Sequence, residues 1–445
     1  MISQQPIVIK FGGTSLATAE AIRQCAAIVR ANPARRFVVV SAPGKRDGHD
    51  QKITDLLLGA CDDVRTGGRD AHLGLVRSRF DSIAHTLGLS LDVSARFRGI
   101  EEDLRRWGRG ELTHRGSIVS WGERLCAEIM AHVLDFPFVD ASRVIRFDER
   151  GSFDAETTNA LVQAVLAKMP CAVIPGFYGT TPNGEIVTFS RGGSDITGAI
   201  VAAGVGASLY ENATDVSGVL AADPTVVPEA KTIPYLTYVQ MRELAMGGAR
   251  VLHDDAVFPV YLAGIPTRIF NTFAPGECDT FVAQYHERKS PGPLAVAART
   301  GFTIVTVTRP GMHEEVGFAA RLLGLFAARD INVVHFPSGN ETMAVVVRTE
   351  DVDAGGPGIR ERLAEEIRES CRAPRIEFRD GTSLLTVVGN ALEDPMYAER
   401  VLKALRICRA ELQLLIYGPN QPSIIVGVDD AYRDGVVRMI YERCL

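Results

Sequence analysis

The sequence has no block of clustered lysines and arginines, no Cys-x-x-Cys pair, no basic leader and no long apolar run. Each absence removes a class of function. Lys and Arg number 48 against 54 Asp and Glu, a net charge of -6, so a general polyanion-binding face is not expected, because it needs concentrated cations to release counterions. The eight cysteines are scattered without metal-ligand spacing, which reads as reduced thiols in a reducing compartment rather than as a disulfide framework. Met1-Ile-Ser-Gln-Gln-Pro6 carries no positive n-region and leads straight into a strand pattern, so no signal peptide is expected. Apolar stretches such as Phe37–Val40 are far too short to cross a bilayer. A cytoplasmic protein with no nucleic-acid or membrane partner is the expectation.

What is present is an ordinary globular composition, 46% hydrophobic and 23% charged, over 445 residues. That length is too great for one core and implies two or three domains. The first two-thirds alternates short β-rich runs with helical patterns, the signature of βα units around a mainly parallel sheet. Strands are expected at Ile7–Phe11, Phe37–Ser41, Cys171–Pro175, Ser208–Asn212 and Pro266–Phe270, and helices at Leu16–Arg30, Ile118–Leu134 and Asp195–Val205. Asn183-Gly184 marks a hairpin turn within 177–189. Ser290-Pro-Gly-Pro293 reads as a linker. Beyond it a strand-helix-strand-strand-helix unit occurs twice, which reads as two copies of a βαββαβ, ferredoxin-like domain. The boundaries that follow are a first domain 1–289, a linker 290–302, and small domains 303–380 and 381–445.

Four segments carry chemistry. Lys10-Phe-Gly-Gly-Thr-Ser15 ends a strand and opens a helix, where glycines admit a phosphate and the free helix N–H groups and a lysine attract it. An ordinary tight turn is the alternative. Thr188-Phe-Ser-Arg-Gly-Gly-Ser-Asp195 repeats the design, with Arg191 able to grip a carboxylate or phosphate bidentately. Asp195 would hold a lysine or a metal-bound phosphate, or would simply cap the helix. Ser120-Trp-Gly-Glu-Arg124 places Glu123 near the start of a long helix, where complementing the dipole would suffice to explain it. Thr214-Asp-Val-Ser-Gly218 follows a strand at its carboxyl end, where ligands of open α/β sheets bind, or forms an Asx turn.

KFGGTS, SAPGKR, GERL, SRGGSD, TDVSG and GARVLH, in this order, resemble the aspartate kinases of the amino-acid kinase family, and the likeness extends over both C-terminal copies, which look like ACT domains. The resemblance implies an α/β fold, an amino-acid kinase sandwich followed by two ACT-like domains. It also implies transfer of phosphate from ATP, with Mg2+, to L-aspartate, on the way to lysine, threonine and methionine. Lys10 and Asp195 would be catalytic. Thr54, Glu123, Arg191 and Ser194 would bind aspartate, while Lys10, Gly12, Gly13, Thr14, Ser15, Thr214, Asp215 and Arg250 would bind the nucleotide. No residues are expected to ligate a metal directly. A homodimer through the ACT-like domains is implied as well. Leu220, Thr225 and Arg250 depart from the family pattern. A kinase for another carboxylate, or a catalytically degenerate sensor, remains the competing reading.

An amino-acid effector would be bound by Met312, Phe318, Ala319, Asn332, Val334, Ser338, Gly339 and Glu341. Val334 occupies a position where relatives carry an acidic residue. On that basis inhibition by lysine is expected to be weak, and Val334→Glu to strengthen it, unless Glu341 supplies the missing carboxylate.

Overall fold

The computed structural model describes residues 5–67, 71–190, 192–249, 254–285, 291–419 and 421–445, with backbone only at 254–257. The described chain falls into two compact units, one of residues 1–220, 232–242 and 250–287, the other of 221–231, 243–249 and 288–445. The second unit thus takes in two short segments well upstream of residue 289, which the linear boundaries place in the first domain. Among the described residues no helix is long and apolar enough to cross a membrane.

The first unit is built on β1 (Ile7–Phe11), α1 (Ala19–Arg30), β2 (Arg35–Val40), α2 (Ile53–Thr66), α3 (Ala71–Leu87), α4 (Val93–Gly108), α5 (Gly116–Val119), α6 (Trp121–Leu134) and α7 (Ala155–Val165). It continues through β3 (Ala172–Pro175), β4 (Tyr178–Thr180), β5 (Ile186–Thr188), α8 (Gly193–Val205), β6 (Leu209–Thr214), β7 (Tyr235–Thr237), α9 (Tyr238–Met246), α10 (Asp254–Leu262), β8 (Thr267–Asn271) and β9 (Thr280–Ala283). The long helix expected over 118–134 breaks into α5 and α6 at Ser120. Seven strands form one sheet in the order β3-β2-β1-β6-β8-β9-β7, with β3, β2, β1, β6 and β8 mutually parallel. Val8, Ile9 and Phe11 on β1, like 37–40 on β2, are buried without alternation, as a parallel sheet covered on both faces requires. Parallel strands turn their carboxyl ends the same way, so the loops after β1, β2 and β6 emerge along one edge.

Electrostatics stitches the strands together away from that edge. Glu211 on β6 is buried and accepts two hydrogen bonds from the Arg35 guanidinium on β2, at 2.6 and 3.0 Å, and one from Arg268 on β8 at 3.0 Å. Paired on both sides, this carboxylate avoids the cost of an uncompensated buried charge.

The C-terminal unit contains β10 (Gly292–Thr308), α11 (Phe318–Ala327), β11 (Val333–His335), β12 (Thr342–Arg348), α12 (Thr349–Asp353), α13 (Ile359–Cys371), β13 (Arg375–Asn390), α14 (Pro395–Ile407), β14 (Leu414–Ile416), β15 (Ser423–Asp429) and α15 (Arg433–Cys444). The duplicated strand-helix-strand-strand-helix order is present. The two copies share one six-stranded antiparallel sheet, β11-β12-β10-β13-β15-β14. Here the expected linker is corrected, because residues 292–302 lie within β10. Residues 302–308 of β10 pair with 375–382 of β13, and residues 292–299 pair with 384–390. The shift between the halves falls beside Gly301 and Gly381, whose φ values of 85° and 66° glycine adopts without strain. Pro293 lacks an N–H but stands at the strand's beginning, where a missing donor is tolerated. α11 and α13 cover one apolar core, α14 and α15 a second, and a third lies on the opposite face around Phe302, Ile304, Val346, Leu384, Leu414 and Ile425.

Candidate active site

Lys10 is the penultimate residue of β1 and only 6% exposed. Such burial needs a partner. Its Nζ lies 2.6 Å from Asp195 Oδ1, in the first turn of α8. Asn212, directly across from Lys10 on β6, donates Nδ2 to the same oxygen at 2.8 Å. The Tyr210 hydroxyl donates to the Asp195 carbonyl at 3.0 Å. The helix start, two strands and a cation thus meet at one carboxylate. α8 can begin there because Gly192 takes φ 62°, a left-handed conformation.

The turn after β1 is packed against the loop after β2 more tightly than any side chain allows. A Cβ on Gly44 would lie 2.7 Å from the carbonyl carbon of Gly13 and 2.8 Å from Thr14 N, while Gly44 N donates to Gly13 O at 2.8 Å. Gly12 N donates to Ala213 O at 3.0 Å, tying the turn to β6. Behind it, buried Arg79 on α3 donates to Gly44 O at 3.1 Å and to Asp50 at 2.6 Å. Gly44→Ala is expected to cost about 1–3 kcal/mol in stability, since backbone must move. If this turn cradles the nucleotide, the ATP KM should also rise about tenfold, the equivalent of ~1.4 kcal/mol. Thermal melts and initial rates check both, and an unchanged ATP KM would detach the turn from nucleotide binding.

Ser15 is placed differently from expectation. Its hydroxyl is buried and hydrogen-bonded to the Thr272 hydroxyl at 2.7 Å, so it braces the turn against β8's exit. Thr14 is exposed beside it. Thr214 closes β6, its hydroxyl donating to Asp215 Oδ1 at 3.2 Å. Leu220 forms an isolated bridge with Thr232, and Thr225 donates its hydroxyl to Asp223 at 2.7 Å, a local turn. Arg191 and Arg250 lie outside the described residues.

Glu123, in the first turn of α6, is 4% exposed. Its Oε2 has no hydrogen-bond partner among the described residues. Burial pushes its carboxyl up to about 8, against the opposing hydrogen bonds of the Ala42 and Glu123 backbone N–H groups. A buried carboxyl with one oxygen left without a partner, beside a loop that touches the phosphate-type turn, is a ready partner for a cation.

A cavity of about 990 Å³ opens nearby, lined by Thr54 at the start of α2, by Phe177, Phe189, Ser190 and Gly192, and by Arg150. Phe177 has φ 79°, unusual without glycine, and is held there by its N–H to Thr197 Oγ1 at 3.1 Å and its carbonyl to Phe189 N at 2.8 Å. Ser194 is buried against Gly176, where a Cβ would meet its Oγ at 2.6 Å.

Residues 5–271 match the model of the amino acid kinase family. Aspartokinase 3 of Bacillus subtilis is 32% identical over 449 residues, 98% of each chain. The chain belongs to the amino acid kinase family, among the aspartokinases. The aspartate kinase structure from Clostridium acetobutylicum is 33% identical, with a TM-score of 0.83 over 98% of this chain and 99% of that one. Escherichia coli aspartokinase III, 26% identical, has been solved with aspartate and ADP (TM-score 0.81) and with lysine and aspartate (TM-score 0.72), each over 98% of this chain and 99% of that one.

Sequence reasoning missed Asn212, which becomes visible only once β1 and β6 are known to be neighbours.

In this aspartokinase the suggested effector residues do not all converge. Antiparallel β10 and β12 bring the 338–341 loop to the turn after β10, where Arg309 N donates to Glu341 O at 2.7 Å and His313 N to Asn340 O at 3.3 Å. Ser338 bridges Met343, and Gly339 N donates to Thr342 O at 2.7 Å. Met312 and Phe318 are buried beneath α11 and α13, with Ala319 exposed next in the helix. Asn332 is exposed just before β11, and Glu341 is exposed at the loop. Val334, by contrast, packs with Phe302 and Ile304 on the opposite face, because successive β-strand side chains alternate and Val333 takes the inner position. Val334→Glu is therefore expected to lose about 1–3 kcal/mol of stability by placing a carboxylate in an apolar cluster, without raising lysine sensitivity. A melting curve and lysine titration decide it, and an intact variant with increased lysine inhibition would restore the charge-partner reading.

Proposed function

We propose that the protein transfers the γ-phosphoryl group of ATP to the side-chain carboxylate of L-aspartate, giving ADP and 4-phospho-L-aspartate. The Lys10–Asp195 pair, oriented by Asn212 where two Gly-Gly turns converge, carries this reading. The acceptor carboxylate, whose ordinary pKa is about 3.9, is ionised at neutral pH, so no general base is needed. Its oxygen attacks the γ-phosphorus and the bond to the β-phosphate oxygen breaks. The protein's task is to align two anions and neutralise charge on the transferring group.

Lys10 supplies that charge, and Asp195 fixes its ammonium. Gly12, Gly13 and Thr14 offer backbone N–H groups to phosphate, with Thr214, Asp215 and Arg250 on the nucleotide. Ser15 supports the turn from beneath. Glu123 receives the substrate ammonium, Arg191 a carboxylate, and Thr54 and Ser194 complete the aspartate subsite. ATP enters as its Mg2+ complex, an ion that keeps phosphate and water ligands. Among the described residues no cluster of three acidic, histidine or cysteine side chains stands ready to hold an ion by itself.

The Escherichia coli relative solved with aspartate and ADP supports the substrate pair, and its lysine complex supports an amino-acid effector; the turn of Met312, Phe318, Ser338 and Glu341 is where we place it. All eight cysteines are free, in keeping with a cytoplasmic enzyme that commits aspartate to lysine, threonine and methionine synthesis. A homodimer through the C-terminal unit is consistent with Val316 and Phe336, 98% and 55% exposed there. ADP release that depends on aspartate, with hydroxylamine trapping of the acyl phosphate, tests the reaction. Turnover with glutamate, acetylglutamate or carbamate in place of aspartate would overturn it.

A further inference from the structure

The SAPGKR motif carries a cation, Lys45, to which the proposed reaction gives no role. The residues just before it touch both halves of the site. Ala42 N–H donates to the Glu123 carboxyl, and Gly44 N donates to Gly13 O at 2.8 Å. A Cβ on Gly44 would lie only 2.7 Å from Gly13 C and 2.8 Å from Thr14 N. Ala42, Pro43 and Gly44 are buried, and the chain emerges into solvent at Lys45. Consecutive Cα atoms lie about 3.8 Å apart, so Lys45 starts one residue's length from the point where the two backbones meet. Its flexible four-carbon stem is long enough to return to the turn.

The excursion that presents Lys45 is braced by its own residues. Ile53 N donates to Pro43 O at 3.2 Å, closing residues 43–53 at their base. Inside it Asp50 accepts from Arg46 N and Nε at 2.9 Å each, from Arg46 Nη2 at 3.1 Å and from Arg79 Nη2 at 2.6 Å. Arg79 also donates to Gly44 O at 3.1 Å. Both arginines are thus engaged, whereas Lys45 makes no ion pair or hydrogen bond among the described residues.

We propose that Lys45 is a second phosphate-binding cation, its ammonium pairing with the phosphates of the nucleotide that are not transferred. The inference rests on the aspartate kinase reading. Lys10 and Asp195 together are a neutral pair, while a nucleoside triphosphate keeps net negative charge even as its Mg2+ complex. A further cation beside the Gly13–Thr14 turn offsets part of that charge, and an ammonium meets phosphate as a point charge with three rotatable donors. Lys10 is buried and fixed, as a group that acts on the transferring phosphoryl must be. Lys45 is exposed and held only through its backbone, so it strengthens binding of the nucleotide rather than the chemical step.

The test measures the ATP KM by initial rates and the ADP Kd by calorimetry. Lys45→Met should raise both about tenfold, with kcat within about threefold and the aspartate KM within about twofold of wild type. Lys45→Arg, which keeps the charge, should stay near wild type. The wild-type ATP KM should also climb more steeply with added salt than that of Lys45→Met, because an exposed charge pair is screened. An unchanged melting temperature is expected for a substitution at this exposed position and separates lost binding from lost folding. If Lys45→Met turns over aspartate with ATP KM and ADP Kd within about twofold of wild type, Lys45 does not meet the phosphates and the proposal falls alone. It falls too if Lys45→Arg is as impaired as Lys45→Met, since charge is then not what matters. A fall in kcat with unchanged ATP KM would put the ammonium on the transferring group and overturn the assignment. If the wild-type enzyme neither binds ADP nor shows aspartate-dependent turnover, the reaction reading falls and takes this proposal with it.

Discussion

Lys10→Ala is expected to lower kcat by at least about a hundredfold, the scale for losing a preorganised charge at a transition state. The reason lies in the groups around it. Asp195, itself held by Asn212, fixes the ammonium before substrate arrives, so little reorganisation is needed when charge develops on the transferring phosphoryl group. The aspartate KM should change far less, because Thr54 and Glu123 sit on α2 and α6 rather than on β1. Removing one member of a buried pair also strands the other. The variant should therefore melt lower, and rates must be measured where it is still folded. Asp195→Asn in the same assay should fall in the same direction, since it removes the charge that fixes Lys10. A folded Lys10→Ala enzyme with kcat within about threefold of wild type would remove Lys10 from the chemistry, because losing a preorganised charge cannot cost so little.

Glu123→Gln should raise the aspartate KM about tenfold to a hundredfold, the value of a charge-assisted hydrogen bond to the substrate ammonium. The ATP KM should barely move. pH supplies a second reading. In the free enzyme the Glu123 carboxyl is held protonated up to about 8, against an ordinary 4.5, because burial disfavours the anion. An ammonium ligand demands the anion, so aspartate binding should release a proton. The wild-type aspartate KM should then fall as pH rises towards about 8 and level off above it, while the Gln variant stays flat. The stability sign is the reverse. With a raised folded-state pKa, the stabilising contribution is fully present below 4.5 and is lost as pH climbs through about 8. Tighter aspartate and a less stable free enzyme should therefore appear together across that window. A flat wild-type KM profile, or a Gln variant impaired in ATP rather than aspartate, would show that Glu123 is buried for another purpose.

Much of the fold is legible in the chain itself. Apolar runs at 7–9 and 37–40 specify buried parallel strands because no alternation is left for a solvent face. Asn183-Gly184 specifies the β4–β5 hairpin, since its turn demands positive φ, and Gly184 takes 81°. The Gly-Gly turns announce close backbone approach, and Gly13 and Gly44 are pressed together without room for a Cβ. The repeat after residue 300 is readable because each copy must bury its own helical faces.

Other features depend on contacts between residues far apart in the chain, which local pattern does not encode. The proline-rich stretch 290–293 carries every local sign of a linker, yet β13, more than 80 residues later, offers edge hydrogen bonds that draw 292–302 into a strand. Asn212 is an ordinary strand residue until the order β1-β6 sets it opposite Lys10. Ser15 sits in a phosphate-type turn by sequence, but the hydroxyl of Thr272, 257 positions away, claims it for the core. The family resemblance suggests an effector contact for Val334, whereas its face is decided by the strand alternation that takes Val333 inward. Local chemistry named the turns, the buried strands and the charged residues. Strand order and side-chain facing, which are settled only when distant segments compete for the same hydrogen bonds and apolar surface, decided which of those residues meet.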